Sequence, residues 1–265
     1  MSTLSHRKLA VITGASAGIG AVYADRLAAR GYDLLLIARR RDRLQEVADR
    51  IVSAHGRKVA ILVADLANES DLARVEKDLA ARGDIELFVN NAGIARFAPI
   101  AKAPAADSIA QIALNVTALT RLTHAVLPGL VARNRGTIVN IASILSLHTL
   151  PHSAVYSATK AFVLAFSRGL QAEVEGTGVK VQSVHPPATA TDIWELAGVP
   201  LESFDPEKVM VVDELVDAAL AGLDRGETIT WPSVADEGLW AGFEQARGAI
   251  IAASQTRRPA PRYIA

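Results

Sequence analysis

A hydroxyl, a phenol and an ammonium are spaced in this chain so that they could share one catalytic site. Ser143 precedes Tyr156 by thirteen residues, and Lys160 follows the tyrosine by four. Residues four apart lie on the same face of a helix, so the lysine can favour the tyrosine phenolate electrostatically. A phenol with its ordinary pKa of about 10 is a poor proton carrier at neutral pH, and a nearby cation changes that. The alternative interpretation is a polar pair on a solvated helix surface.

The position of Ser143 favours the catalytic interpretation. This serine ends the apolar run 136–143, which is typical of a buried parallel strand. Open α/β sheets bind their ligands at the carboxyl ends of such strands. We therefore expect Ser143 to place a second hydroxyl beside the phenol.

A glycine-rich loop near the start of the chain predicts a nucleotide site. A short β-rich run, Lys8–Thr13, leads into Gly14–Gly20, and the Ala-rich segment 21–30 and a second apolar run, 33–38, follow. A strand that feeds a glycine loop and then a helix is typical of a dinucleotide pyrophosphate site, because free helix N–H groups bind phosphate. A tight turn without a ligand is the alternative.

These motifs together resemble those of the short-chain dehydrogenase/reductase family, in its compact single-domain branch, over about residues 7–230. The matching residues are Thr13–Gly20, Asp65, Asn90–Gly93, Asn115, Ser143, Tyr156 and Lys160. The resemblance implies a Rossmann-type nicotinamide site. It also implies that dimers or tetramers are the usual assemblies, so we expect a homodimer or homotetramer.

The resemblance assigns roles to four catalytic residues. It makes Tyr156 the general acid/base and Ser143 the group that holds the substrate carbonyl. Lys160 would bind the nicotinamide ribose and lower the tyrosine pKa, and Asn115 would order a water that links the lysine to solvent. From the residues alone, Asn115 could instead be an exposed amide on a helix surface.

Arginines after the second predicted strand favour NADP(H) over NAD. Positive charge at the start of a helix opposes the helix dipole, and the 2′-phosphate of NADP would remove that penalty. In the resembled family, an NAD-specific site carries a carboxylate where this chain has Ala38, and Arg39 and Arg40 follow it. The alternative is a solvated helix start that Asp42 compensates.

The resemblance extends the predicted cofactor site to several segments. The complete set is Gly14, Ser16, Ala17, Gly18, Ile19, Gly20, Arg39, Arg40, Asp65, Leu66, Asn91, Ala92, Gly93, Tyr156, Lys160, Pro186, Thr189 and Thr191. Asp65 would accept from the adenine amino group, although it could simply cap a helix. Pro187 stands where the family usually has glycine, which puts the geometry of the following loop in doubt. The histidines lack metal-ligand spacing, so no metal is expected and they are interpreted as packing or pocket-lining residues.

Apolar strand-like runs alternate with helical segments throughout, which predicts a doubly wound α/β fold with a mostly parallel, seven-stranded sheet and helices on both faces. We expect one domain over 1–265, with a substrate lid at about 187–210 and a C-terminal helix and arm at about 233–265. Lys+Arg and Asp+Glu both number 28, so no basic field attracts nucleic acid or membrane. Cysteine is absent, and no apolar run reaches membrane-spanning length, so a cytoplasmic protein is expected.

The predicted function is NADP(H)-dependent hydride transfer between nicotinamide and a carbonyl or secondary alcohol. A non-catalytic NADP-binding sensor or scaffold is the alternative, and enoyl reduction is disfavoured because its relatives space tyrosine and lysine more widely. A medium-sized, largely apolar ketone or aldehyde is expected, with Arg96 as a possible carboxylate anchor. The expected pocket walls are Ile144, Leu145, His148, Arg96, Phe97 and Trp194.

Overall fold

Seven parallel strands form one sheet in this computed structural model, which describes residues 8–264. The strands are β1 (Leu9–Thr13), β2 (Asp33–Ala38), β3 (Val59–Val63), β4 (Ile85–Asn90), β5 (Gly136–Ile141), β6 (Val179–Val184) and β7 (Ile229–Thr230). Their order across the sheet is β3-β2-β1-β4-β5-β6-β7. The Rossmann-type fold predicted from the alternation of strands and helices is confirmed.

Helices connect the strands and cover both faces of the sheet. They are α1 (Gly18–Ala29), α2 (Arg41–His55), α3 (Glu69–Ala80), α4 (Ala105–Ile112), α5 (Leu119–Ala132), α6 (Ala154–Glu173), α7 (Ile193–Leu196), α8 (Val212–Asp224) and α9 (Gly238–Ser254). A π-helical segment, Ala113–Ala118, joins α4 to α5. Among the described residues, no helix is long and apolar enough to cross a membrane.

Side chains that alternate along the strands divide the core into two layers. On β1, Ala10 and Ile12 pack with α1, α2 and α8, whereas Leu9 and Val11 pack with α3, α5 and α6. Every residue of β1 is buried because helices cover both faces of the sheet. This burial accounts for the apolar residues at consecutive positions 9–12 of the strand.

The order in which successive strands are added to the sheet reverses at β1, and this reversal positions the site. The chain runs from β1 outward to β3 and then returns to pair β4 with the other edge of β1. The connections after β1 and β4 therefore leave on opposite sides, and a crevice opens at the carboxyl ends of these two strands.

The chain divides into two compact units, Met1–Pro232 and Ser233–Ala265. The first holds the sheet and helices α1 to α8, and the second holds α9 and a 3₁₀ turn at Pro261–Tyr263. The division falls where the sequence predicted the C-terminal helix and arm to begin.

Candidate active site

Three predicted catalytic side chains are buried together at the carboxyl end of β5. Ser143 follows that strand, and Tyr156 and Lys160 lie one turn apart on α6. The Ser143 side chain hydrogen-bonds the phenol, and Lys160 Nζ donates to the carbonyl oxygen of Ile141 over 2.8 Å. The pair is therefore not on a solvated helix surface, and that alternative is wrong.

Burial sets the protonation of this pair. It raises the pKa of Tyr156 to about 12, and the hydrogen bond from Ser143 opposes the rise. It lowers the pKa of Lys160 to about 8. The direction for the tyrosine is opposite to that expected from a neighbouring lysine, because burial has the larger effect. At neutral pH the phenol keeps its proton.

Asn115 lies in the π-helical segment and is buried, so it is not an exposed helix-surface amide. Its side chain accepts from Ile94 N and donates to Ile94 O, both over 2.9 Å, and also donates to Thr159 Oγ1 over 3.1 Å. A Cβ on Gly93 would lie 3.2 Å from the Asn115 oxygen and 3.7 Å from Lys160 Nζ. Asn115 therefore joins the segment after β4 to the helix that carries the lysine. Thr159 was not predicted, although it stands directly before Lys160.

A cavity of about 320 Å³ opens at the carboxyl ends of β1 to β4. Predicted cofactor residues line it: Gly14, Ser16, Ala17, Gly18, Ile19, Arg39, Arg40, Asp65, Leu66, Asn91, Ala92, Gly93 and Thr191. Gly20, Tyr156, Lys160, Pro186 and Thr189 were predicted with them and are not among its lining residues. Sequence reasoning missed further lining residues, namely Ala64, Ile94, Ala95, Leu114, Asp192, Ile193 and Leu196.

The glycine loop keeps its backbone open toward this cavity. Gly14 has a φ of 66°, a conformation that favours glycine. A Cβ on Gly20 would come within 2.5 Å of both Gly14 O and Asn91 Nδ2, so only glycine fits where α1 passes the loop. The helix begins at Gly18, earlier than predicted, and its N-cap Ala17 makes no side-chain capping hydrogen bond. The first N–H groups of α1 are therefore suited to an external acceptor.

Two arginines stand at the adenosine end that the resemblance predicts. The side chains of Arg39 and Arg40 are 60% and 50% exposed, so both can reorient toward a ligand. Arg39 lies 3.9 Å from Asp65, and Arg40 donates to Ser16 Oγ over 3.3 Å. The cation pair thus borders the glycine loop and the end of β3.

Asp65 does not cap the helix that follows it. The N-cap of α3 is Asn68, whose side chain accepts from Ser70 N and Asp71 N. Asp65 instead accepts from Ala67 N over 3.1 Å, and it lines the cavity. The helix-cap alternative for Asp65 is therefore wrong.

Aromatic rings from the segment after β4 and from the predicted lid lie beside the Tyr156 ring. Phe97 meets the Tyr156 ring edge-on, with centroids 5.5 Å apart, and stacks with Trp194 at 6.0 Å. Phe204 follows at 4.6 Å from Trp194. We call Phe97, Trp194 and Phe204 the aromatic wall. Phe204 was missed because it lies in a 3₁₀-rich part of the lid where the sequence has no regular pattern.

Other predicted pocket residues have different surroundings. Leu145 is buried and packs with Tyr156, whereas Ile144 and His148 are exposed. Arg96 donates to the carbonyl of Ala95 over 3.1 Å and also to the carbonyl of Leu196. This arginine therefore has two main-chain acceptors, of which Leu196 lies in the lid, and a substrate carboxylate is not needed to satisfy it.

The lid after β6 is anchored at both ends despite Pro187. Thr189 bridges to Met210, and Met210 N donates to Ala188 O over 2.8 Å. The Thr189 carbonyl accepts from Trp194 Nε1 over 2.8 Å. Pro187 therefore does not prevent the two ends of the lid from pairing, and Trp194 within the lid stacks with Phe97.

The family model described as short chain dehydrogenase matches residues 8–198. The chain belongs to the short-chain dehydrogenase/reductase family. It is therefore an oxidoreductase of that family, as the sequence motifs predicted. Among residues 8–264, no group of three or more histidine, aspartate or glutamate side chains could hold a metal ion.

The similarity to other members of the family extends over most of the chain. A short-chain dehydrogenase from Sphingobium yanoikuyae in complex with NADPH is 43% identical, with a TM-score of 0.93 over 97% of this chain and 99% of that one. A bulky-bulky ketone specific alcohol dehydrogenase from Comamonas testosteroni is 36% identical, with a TM-score of 0.89 over 98% and 100%. Very-long-chain 3-oxoacyl-CoA reductase-B from Danio rerio is 36% identical over 78% of this chain and 68% of its own length.

Proposed function

We propose that this oxidoreductase reduces the carbonyl of an apolar ketone with NADPH and that it can oxidise the matching secondary alcohol. The observation that carries the proposal is the convergence of Ser143, Tyr156 and Lys160 at the carboxyl end of β5, next to the cavity. Two hydroxyls and a cation form the set that a developing alkoxide requires.

The residues around the cavity fit a dinucleotide. Gly14 lines the cavity in a conformation that favours glycine, and the uncapped start of α1 offers N–H donors to a pyrophosphate. Arg39 and Arg40 supply the charge that a 2′-phosphate requires, and Ala38 stands where a carboxylate would favour NAD. The cofactor in the Sphingobium yanoikuyae neighbour is also NADPH.

In the proposed reaction, bound NADPH supplies the hydride that reduces the carbonyl carbon. Tyr156 donates its proton to the substrate oxygen, and burial keeps that proton in place at neutral pH because it raises the pKa to about 12. Ser143 donates a second hydrogen bond to the same oxygen. Lys160, whose pKa is lowered to about 8, is mainly protonated at pH 7 and stabilises the phenolate that proton donation leaves.

The aromatic wall supports an apolar substrate. Phe97 lies against the phenol, and Trp194 and Phe204 continue the surface through the lid. Ligand sites of this composition take hydrophobic groups and use few polar contacts for orientation. The name of the Comamonas testosteroni neighbour, a bulky-bulky ketone specific enzyme, agrees with this choice.

The test is a panel of ketones and aldehydes with NADPH, followed through the absorbance of the reduced nicotinamide. The panel should vary the size and polarity of both substituents, with sugars and carboxylated ketones as polar members. Turnover of apolar ketones is the expected result. If NADPH binds but no carbonyl is reduced at any pH, the sensor or scaffold hypothesis replaces this one.

Assembly and location stay predictions. A homodimer or homotetramer is expected from the family, and light scattering coupled to size-exclusion chromatography would measure the mass. Cytoplasmic location is likewise inferred from the sequence, and fractionation of the source cells would test it.

A further inference from the structure

A buried histidine lies directly behind the catalytic serine. His185 follows β6 and is fully buried. Its Nδ1 lies 3.2 Å from Ser143 O, and its Nε2 lies 3.0 Å from Ser183 Oγ. The ring stacks on Trp231 with centroids 4.1 Å apart. Neither the family motifs nor the proposed reaction gives this histidine a role.

The histidine contact occurs where main-chain pairing between β5 and β6 ends. Ala142 N donates to Val184 O over 2.8 Å, and beyond Ser143 the Ile144 N donates to Pro186 O over 3.0 Å. Pro186 has no N–H, so it cannot donate to β5. The Ser143 carbonyl accepts from Ser146 N over 3.0 Å, and the imidazole adds a second, side-chain hydrogen bond to it.

We assign the ring proton to Nδ1, because that tautomer satisfies all three polar contacts of the ring. A carbonyl oxygen can only accept, so the contact with Ser143 O requires the proton on Nδ1. Nε2 then accepts from the Ser183 hydroxyl, and Ser146 Oγ lies 2.9 Å from Nδ1. Burial lowers the pKa of His185 to about 4, the bond to Ser143 opposes this, and the charge of Lys160 adds to it. The ring is neutral throughout the working pH range.

We propose that His185 is a positioning residue whose Nδ1–H holds the main chain of Ser143, so that the serine hydroxyl stays hydrogen-bonded to Tyr156. This inference rests on the proposed carbonyl reduction, in which both hydroxyls donate to the substrate oxygen. The Ser143 hydrogen bond lowers the pKa of Tyr156 against the larger effect of burial. Loss of the histidine bond should therefore raise that pKa further.

Three variants separate the hydrogen bond from the packing of the ring. His185→Leu removes both ring nitrogens. The amide of His185→Asn can place a donor near the Nδ1 position, whereas that of His185→Gln reaches the Nε2 position. His124→Leu, at an exposed site on α5, is the matched control. Circular dichroism and thermal melting establish that each variant folds.

For an accepted ketone, kcat of the leucine variant should fall about tenfold, the effect of one lost hydrogen bond. The dissociation constant of NADPH, from fluorescence quenching, should change less than about twofold because His185 does not line the cofactor cavity. In alcohol oxidation, which needs the phenolate, the rising limb of the pH profile should move to higher pH. His185→Asn should restore kcat and the position of the rising limb, whereas His185→Gln should restore neither.

A second readout does not depend on turnover. With 3-fluorotyrosine incorporated, ¹⁹F NMR follows the titration of Tyr156, whose resonance Tyr156→Phe identifies. Tyr156 is faced by Ser143 after β5, by Phe97 after β4 and by Lys160 on its own helix, and Lys160 is the charged group. Lys160 loses its proton before Tyr156 does in the wild type and in every variant, so a higher midpoint in His185→Leu reports the lost serine bond.

The outcomes distinguish this inference from the proposed function. If no ketone is reduced by the wild type but the midpoint shifts as expected, the function is wrong and the positioning role stands. Equal losses in the asparagine and glutamine variants, or an unchanged midpoint and kcat in the leucine variant, would overturn the role of Nδ1. If the leucine variant does not fold, the asparagine and glutamine pair alone decides.

Discussion

The Lys160 ammonium lies 5.7 Å from the centroid of the Tyr156 ring, one helical turn along α6. The same ammonium is bound to the Ile141 carbonyl at the end of β5, so the cation is fixed to the sheet. Burial moves the two pKa values in opposite directions, upward for the phenol and downward for the ammonium. The pair therefore holds a neutral phenol next to a cation, an arrangement suited to donating a proton to a new alkoxide.

Replacing Tyr156 by phenylalanine tests the proton donor. The change keeps the ring beside Phe97 and removes only the hydroxyl, so kcat for ketone reduction should fall by about 10² to 10⁴. The dissociation constant of NADPH should barely change. Tyr32→Phe, at the amino end of β2, is the matched control and should keep wild-type kcat. A Tyr156→Phe variant with wild-type turnover would remove the tyrosine from the mechanism.

The buried lysine should give protein stability a distinctive pH dependence. The pKa of Lys160 is about 8 in the folded protein against 10.5 for an ordinary lysine. Between these values the unfolded chain binds more protons than the folded one, so the free energy of unfolding rises with pH across that window. Relative to Lys160→Met, wild-type stability should increase by roughly 1–3 kcal/mol from pH 7.5 to 10. Urea unfolding at several pH values measures it, and parallel curves for the two proteins would contradict the burial effect.

Regular elements could be predicted because local patterns and the sheet agree. β2 has the predicted bounds, Asp33–Ala38, since residues 34–38 form a continuous apolar run. The start of α1 was placed too late. Gly18 and Gly20 look like loop residues in the sequence, but they belong to the first turn of α1. Gly20 lies so close to Gly14 that a side chain would not fit there.

The catalytic residues could be predicted from the sequence far better than the aromatic wall. Ser143, Tyr156 and Lys160 are linked by strand-end and helical spacing, which sequence displays. The aromatic wall instead combines Phe97 with two lid residues about a hundred positions away, and only tertiary packing brings them together. His185 could be read from the sequence only as a packing or pocket-lining residue, because its partner is a main-chain carbonyl that no motif records.

Removing the charge of Arg39 tests the choice of cofactor. If this arginine binds the 2′-phosphate, Arg39→Ala should weaken NADPH about tenfold to a hundredfold and leave NADH almost unchanged. Arg43→Ala is the matched control, since Arg43 is exposed on α2, pairs with Glu46 and does not line the cavity. Fluorescence titrations of the wild type and both variants with each cofactor give the six dissociation constants. Equal losses for NADPH and NADH would assign Arg39 to structure.

The last prediction concerns how the lid selects substrates. Trp194 stacks with Phe97, contacts Phe204 and donates to the Thr189 carbonyl, so it could line the pocket or only pin the lid. If it lines the pocket, wild-type kcat/KM should rise with the size of apolar substituents up to a limit, because each added methylene buries more surface. In Trp194→Ala that rise should flatten.

A matched variant separates the ring from its hydrogen bond. Trp194→Phe keeps an aromatic face toward Phe97 but loses the donor to Thr189, so it should retain the dependence on substituent size. Measuring kcat/KM for a graded ketone series with all three proteins gives the slopes. If the tryptophan only pins the lid, both variants should lower every rate in proportion and leave the slopes alike. That outcome, or a preference for polyhydroxylated sugars, would rule out the aromatic wall as the surface that recognises the substrate.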